Sequence, residues 1–136
     1  MPKIIVCQGI PASGKSTWAK EFVENNSNWI RVNRDDIRKM FGKYWLPKRE
    51  YLVEAVEYDI AEEAILLGWN VIVDDTNLNP KYIDGWKEVA DITQCDIEFK
   101  EFKVPLDVAI ERDRNRDNSV GEDVIRNFYK KYYENI

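Results

Sequence analysis

The chain has 136 residues, 44% of them hydrophobic with five Trp, seven Tyr and five Phe, which matches one domain around a single sizeable core. A net charge of −5 excludes a protein that coats long duplex through many lysine and arginine contacts to phosphate, although not one that grips a strand end. There is no histidine, and Cys7 and Cys95 form no CxxC, so histidine-based triads, histidine-ligated metals, a disulfide framework and a zinc site are excluded and proton handling falls to carboxylates.

Taken in chain order, the opening run MPKIIVCQG holds only about five apolar residues before Gly9, too short for a signal-peptide core or a membrane span. It reads as a buried strand over Lys3–Gln8 in a soluble, cytoplasmic protein with no membrane partner. Further strands are expected at residues 29–33, 70–74 and 96–103, and a first helix at Lys15–Asn25 ends in the breaker run NNSN. A short helix follows from Asp35 to about Gly42. Residues 48–67 carry Val53, Val56, Ile60, Ala64 and Leu67 at spacings of three and four, an amphipathic helix that Gly68 stops. Asn79 before Pro80 reads as a helix cap with proline at the first turn, opening a helix to about Asp91. Val104 and Pro105 open another to about Asn115, and the last helix, 121–134, is expected to bury Val124, Ile125, Phe128 and Tyr132. Strands alternating with helices predict an α/β fold, a parallel sheet with helices on both faces, forming a single domain over residues 1–136.

Four segments carry chemistry. Gly9, Ile10, Pro11, Ala12, Ser13, Gly14, Lys15, Ser16 and Thr17 read GIPASGKST between a strand and a helix, the full context of a phosphate-binding P-loop. Its backbone amides wrap the phosphates, Lys15 reaches the β and γ oxygens, Ser16 meets Mg²⁺, and Thr17 neighbours the α-phosphate. No guanine-reading NKxD signature is present, which favours ATP. In RVNRDDIRK, a strand delivers Asp35 to its C-terminal edge with Arg38 three residues on, suited to orient a hydroxyl, take its proton and hold the acceptor in line. The competing reading has Asp35 or Asp36 capping the helix and Arg38 solvated. In VIVDDTNLNP, the strand runs into Asp74 and Asp75, and alternation does not decide which of the two faces the site. In IERDRNRDNSV, Arg112 and Arg116 fall four apart on a helical lid that neutralises charge on a transferring phosphoryl group, or else on a solvated face. Arg31, Arg34, Arg38 and Lys39, and then Arg112, Arg114 and Arg116, are two clusters able to furnish a basic pocket. Tyr44, Trp45 and Tyr51 read either as core or as a stacking surface at the acceptor entrance.

In order along the chain, GIPASGKSTWAKEF, VNRDDIR, DDTNLNP, a helix opened by VP with an Arg-rich turn, and a Tyr-rich terminal helix resemble the P-loop 5′-hydroxyl polynucleotide kinases. These include the kinase domain of the phage polynucleotide kinase-phosphatase and are related to the zeta-toxin-like small kinases. The resemblance runs nearly end to end. It implies a three-layer P-loop fold with about four strands in the order 2-3-1-4 and a helical lid, and transfer of the ATP γ-phosphate to the 5′-OH of DNA or RNA. It further implies that Lys15 and Ser16 bind phosphates and Mg²⁺, that Asp35 is the general base, and that Arg38 grips the phosphate next to the acceptor. Asp75 would support the acceptor site, Arg116 would be the lid arginine on the β/γ-phosphates, and Arg112 with Val120 would flank the adenine. The segment DNSVGED is shorter than in the phage enzyme and lacks its proline. Two rivals remain at this point, a kinase of a nucleoside, sugar or antibiotic hydroxyl, and a nucleotide-binding module without kinase activity.

Overall fold

Each run of branched apolar residues makes a short strand: β1 (Lys3–Gln8), β2 (Trp29–Val32), β3 (Asn70–Val73) and β4 (Asp96–Glu101). They run parallel in the order β2-β3-β1-β4, as expected. The computed structural model describes residues 1–117 and 119–134; Asn118, in the DNSVGED segment, and residues 135 and 136, the end of the expected domain, lie outside the described residues. Helices α1 (Lys15–Asn25), α2 (Arg34–Met40), α3 (Glu50–Leu66), α4 (Pro80–Thr93), α5 (Leu106–Arg114) and α6 (Glu122–Tyr129) join the strands, with a 3₁₀ turn at Pro47–Arg49 and a π turn at Lys130–Glu134.

β1 lies between β3 and β4 and is buried on both faces, which is why its sequence is continuously apolar instead of alternating. Its side chains divide by parity. Ile4 and Val6 join Val32, Val71 and Val73 against Ala61, Ala64 and Ile65 of α3 and Trp86, Val89 and Ala90 of α4. Ile5 and Cys7 join Ile72 on the other face against Ala19, Trp18 and Phe22 of α1. A third cluster gathers Ile10 of the P-loop with Ala109 and Ile110 of α5 and Ile125 of α6. The helical cap is thus packed directly on the phosphate loop.

Several expectations shift. β4 stops at Glu101, and Asn33 ends no strand: its side chain caps α2, accepting a hydrogen bond from the Asp36 amide. The inward stripe of α3 is Val53, Glu57, Ala61, Ala64 and Ile65, whereas Ile60 and Leu67 are exposed. Both stripes keep helical spacing, and packing against the sheet selects this one. In α6 Ile125 is buried while Val124 is exposed, because only one of two adjacent positions on a single-faced helix points inward. Asn79 caps α4 as expected, accepting from the Lys81 amide.

Candidate functional site

Because all four strands are parallel, the loops after β1, β2 and β3 emerge at one edge, and the segments singled out in the sequence meet there. After β1 the chain turns through Ala12 (φ 64) and Gly14 (φ 101) into α1. These left-handed residues aim successive amides into a concavity, and the first turn of α1 carries neither an acidic residue nor a side-chain cap to quench it. Gly9 is required for space: a Cβ there would lie 2.6 Å from Ser13 Oγ and 2.8 Å from the Phe102 carbonyl oxygen. Buried Lys15 curls over the loop, its Nζ donating to the Gly9 carbonyl at 2.9 Å, the Ile10 carbonyl at 2.7 Å and Ser13 Oγ at 3.1 Å. Burial lowers its pKa to about 8, with Asp74, Cys7 and Asp75 opposing. Ser16 is half-buried at the second helical position and Thr17 is exposed.

After β2, Asn33 takes the capping role, so neither Asp35 nor Asp36 caps the helix. Asp35 Oδ1 instead accepts from Arg38 Nη1 at 2.6 Å and from the Tyr44 hydroxyl at 2.7 Å, with 47% of its side chain exposed. Arg38 is no solvated charge: its side chain is only 15% exposed, and Nε and Nη2 also clasp both oxygens of Glu50. Burial disfavours the guanidinium charge, but Glu50 and Asp35 outweigh it and hold the pKa above its ordinary value. The first basic cluster does not form a pocket as a unit. Arg31 pairs with Asp74 at 2.8 Å and Asp36 at 2.6 Å, and buried Arg34 pairs with Glu57 at 3.3 Å and stacks 4.1 Å from the Tyr82 ring centroid. Only Lys39 of the four is exposed and outside these pairs.

After β3 both aspartates are buried. Asp75 Oδ1 accepts from the Arg34 amide at 2.9 Å, and Asp74 Oδ2 accepts from Arg31; among the described residues Asp74 Oδ1 and Asp75 Oδ2 accept no hydrogen bond, and Arg34 Nη1 stands 3.6 Å from Asp75 Oδ2. Glu57 joins them from α3. Burial first, then the charge of Asp75 and a hydrogen bond with it, push the Glu57 carboxyl well above the usual carboxylate range against the pull of Arg34. Buried Asn77 donates to the Cys7 carbonyl at 2.9 Å, and the Gly9 amide donates to the Thr76 carbonyl at 3.0 Å. The tail of β3 thus ties the phosphate loop on one side to Arg34 and α2 on the other.

The second basic cluster also divides. α5 ends at Arg114, so Arg116 lies beyond the helix and does not share its face with Arg112. Arg112 still reaches the phosphate loop, since a Cβ on Gly14 would stand 3.9 Å from its Nη1, whereas Arg116 is held by Asp113 and acts on Lys15 only through its charge, which lowers the lysine pKa. Arg114 pairs with Glu122. Buried Asp113 organises the turn, accepting from Arg116 Nε (3.0 Å), Ser119 Oγ (2.8 Å) and the amides of Val120 and Gly121 (each 2.9 Å). Burial raises its pKa, and those donors outweigh burial and hold it below the ordinary value. Val120 is half-buried against Ile10 and Ile110.

A nucleotide fits this loop: uncapped first-turn amides, the left-handed pair Ala12 and Gly14, and a buried lysine satisfied only by carbonyls and Ser13 are what a polyphosphate would replace. For a divalent ion, the donors are Ser16 and the unpaired oxygen of Asp74. Among the described residues no group of three Cys, Asp or Glu could hold a metal ion. Glu50, Glu57, Asn77 and Asp113 escaped the sequence reading, and Arg34 was read only as part of a basic cluster. The available signal was a charge inside an apolar stripe at Glu57; the others pair with residues distant in sequence or in a turn.

A family model described as an AAA domain matches residues 4–134. The L-seryl-tRNA(Sec) kinase of Methanococcus maripaludis is 30% identical over 95% of this chain, and the putative bifunctional polynucleotide kinase/RNA ligase of Autographa californica nuclear polyhedrosis virus is 31% identical over 96%. The chain spans 52% and 21% of those proteins. A chain of the Pnkp1/Rnl/Hen1 RNA repair complex superposes over 99% of this one with a TM-score of 0.83 and 28% identity, matching 46% of its own length. The fold is that of the P-loop kinases. No helix among the described residues is long and apolar enough to cross a membrane.

Proposed function

Since the chain belongs to the AAA domain family, we propose that it is an ATP-dependent 5′-hydroxyl polynucleotide kinase, acting as one domain over residues 1–136 in the cytoplasm on DNA or RNA ends. One observation carries this reading: the partly exposed Asp35–Arg38 pair stands at the same sheet edge as the phosphate loop, joined to it through Asp75, Thr76 and Gly9. The likeness to a polynucleotide kinase/RNA ligase and to an RNA repair complex supports a nucleic-acid acceptor.

In this account Gly9 to Thr17 cradle ATP, with the side chain of Arg112 and Val120 flanking the adenine. Mg²⁺, held by Ser16, would neutralise phosphate charge. Asp35 accepts a hydrogen bond from the 5′-hydroxyl and takes its proton as the new oxygen–phosphorus bond forms and the bond from the γ-phosphorus to the β–γ bridging oxygen breaks, leaving ADP. Lys15 and Arg116 stabilise the charge that moves onto that oxygen. Arg38, with two of its five N–H donors not engaged by Glu50 or Asp35, takes the phosphate beside the acceptor, while Asp75 fixes the amide of Arg34 and so the start of α2.

A second reading has one observation in its favour, the 30% identity to an L-seryl-tRNA(Sec) kinase. In that reading the same carboxylate addresses a hydroxyl carried by an aminoacyl-tRNA. Labelled γ-phosphate offered with a 5′-hydroxyl oligonucleotide, the same oligonucleotide already 5′-phosphorylated, free nucleosides and seryl-tRNA separates the two. Label on the first alone, removable by a 5′-phosphatase, supports the polynucleotide kinase; label on seryl-tRNA alone replaces it with the second.

A further inference from the structure

Between α2 and the 3₁₀ turn lies a six-residue loop, 41–46, that presents large aromatic surface to solvent beside the acceptor carboxylate. Tyr44 is 46% exposed and Trp45 54% exposed. Neither joins any of the three core clusters. The loop is nonetheless firmly held. Arg49 donates to the carbonyls of Phe41 (3.4 Å), Lys43 and Tyr44 (3.3 Å), with its guanidinium 5.7 Å from the Phe41 ring centroid. From this loop the Tyr44 hydroxyl reaches Asp35, and the Trp45 ring centroid lies 5.6 Å from the guanidinium carbon of Arg38. An ordered aromatic next to an acceptor site has already incurred the entropy of ordering that a flexible loop would lose on binding.

We propose that Trp45, with Tyr44 beside it, is a stacking platform for the nucleobase of the nucleotide that carries the acceptor hydroxyl. This rests on the nucleic-acid reading of the site and adds the subsite that recognises the base. Charge and stacking address different parts of the nucleotide. The charge of Arg38 is met by two carboxylates, Asp35 and Glu50, while exposed Lys39, just before the loop, and Lys43, within it, can meet phosphate. Phosphate contacts carry no preference for a base, whereas stacking is open to every base through its π face. The preference is therefore for a hydroxyl attached to a base, tolerant of base identity.

The test is the steady-state KM of two oligonucleotides identical except that one has an abasic 5′-terminal nucleotide, measured with wild type, Trp45→Ala and Trp45→Phe. For the wild type the abasic substrate should have a KM about tenfold higher, within the roughly 5- to 150-fold range of a single base–aromatic stack. Trp45→Ala should raise KM about tenfold for the intact oligonucleotide and leave the abasic one within about twofold, and Trp45→Phe should recover most of the loss. A KM change that Trp45→Ala imposes equally on both substrates, or on neither, overturns the platform while leaving the kinase reading in place. Failure of the wild type to phosphorylate either oligonucleotide removes both. A Trp45→Ala variant that melts well below Trp45→Phe would assign Trp45 to the fold and also overturn the platform.

Discussion

Glu57 is 1% exposed and pairs with Arg34, and burial together with the charge of Asp75 raises its pKa, so one side chain on α3 bears on both the β3 tail and the start of α2. A carboxyl held above its ordinary value binds a proton in the folded chain that the unfolded chain releases. Its contribution to stability is therefore complete below the ordinary carboxylate value of 4.5 and is lost as pH rises through the raised value. Glu57→Gln, whose amide donates permanently, should melt within about 1 kcal/mol of wild type at neutral pH and show a flatter decline of stability with rising pH. Glu57→Ala should cost about 1–3 kcal/mol, because it leaves Arg34 with Asp75 as its remaining carboxylate partner. Thermal melts between pH 5 and pH 9 check both; an unchanged slope in Glu57→Gln would assign the pH dependence elsewhere. At this scale the P-loop residues were legible because their motif is local, and Asp35 and Arg38 because they are three residues apart. Arg31 and Arg34 read as a basic patch because their partners Asp74 and Glu57 are 43 and 23 residues away, beyond any local pattern.

At the scale of elements, the site depends on how closely β1 and β4 end beside each other. The Phe102 amide donates to the Gln8 carbonyl at 2.7 Å, and the Phe102 carbonyl blocks any Cβ at Gly9. Gly9→Ala must push the phosphate loop off the end of β4. The expected result is a loss of about 1–3 kcal/mol in stability, typical of overpacking, with nucleotide affinity reduced at least tenfold in a titration with a fluorescent ATP analogue. Unchanged affinity would mean that the loop can shift without consequence. Parallel pairing and the caps at Asn79 and Gly68 followed from local signals and the strand order from the family resemblance, but the face of α3 did not follow from either. Apolar residues surround that helix, with Ile60, Leu66 and Leu67 exposed, so two stripes fitted the spacing until the sheet selected one. The lid arginines were misplaced on a shared helix face because the turn that ends α5 at Arg114 is dictated by Asp113, a residue that reads from sequence as one more surface charge.

Across the whole molecule two packed units meet at the phosphate loop: the sheet with α1, α3 and α4, and the cap of α5 and α6, which touches the rest through Ile10, Ala12 and Leu78. Asp113 holds the second unit together, so Asp113→Ala should speed amide hydrogen exchange through α5 and α6 while the amides of β1 and β3 stay protected. Nucleotide affinity should fall with it, since Arg116 loses its anchor. Uniform loss of protection in the sheet would show instead that the two units are one cooperative body.

The central claim is that Asp35 takes the proton of a nucleic-acid 5′-hydroxyl, and single-turnover transfer of the ATP γ-phosphate to a 5′-hydroxyl oligonucleotide by wild type and Asp35→Asn tests it most directly. Transfer should slow by about 10²- to 10⁴-fold in Asp35→Asn, with ATP affinity unchanged. Transfer at the wild-type rate by Asp35→Asn would contradict it.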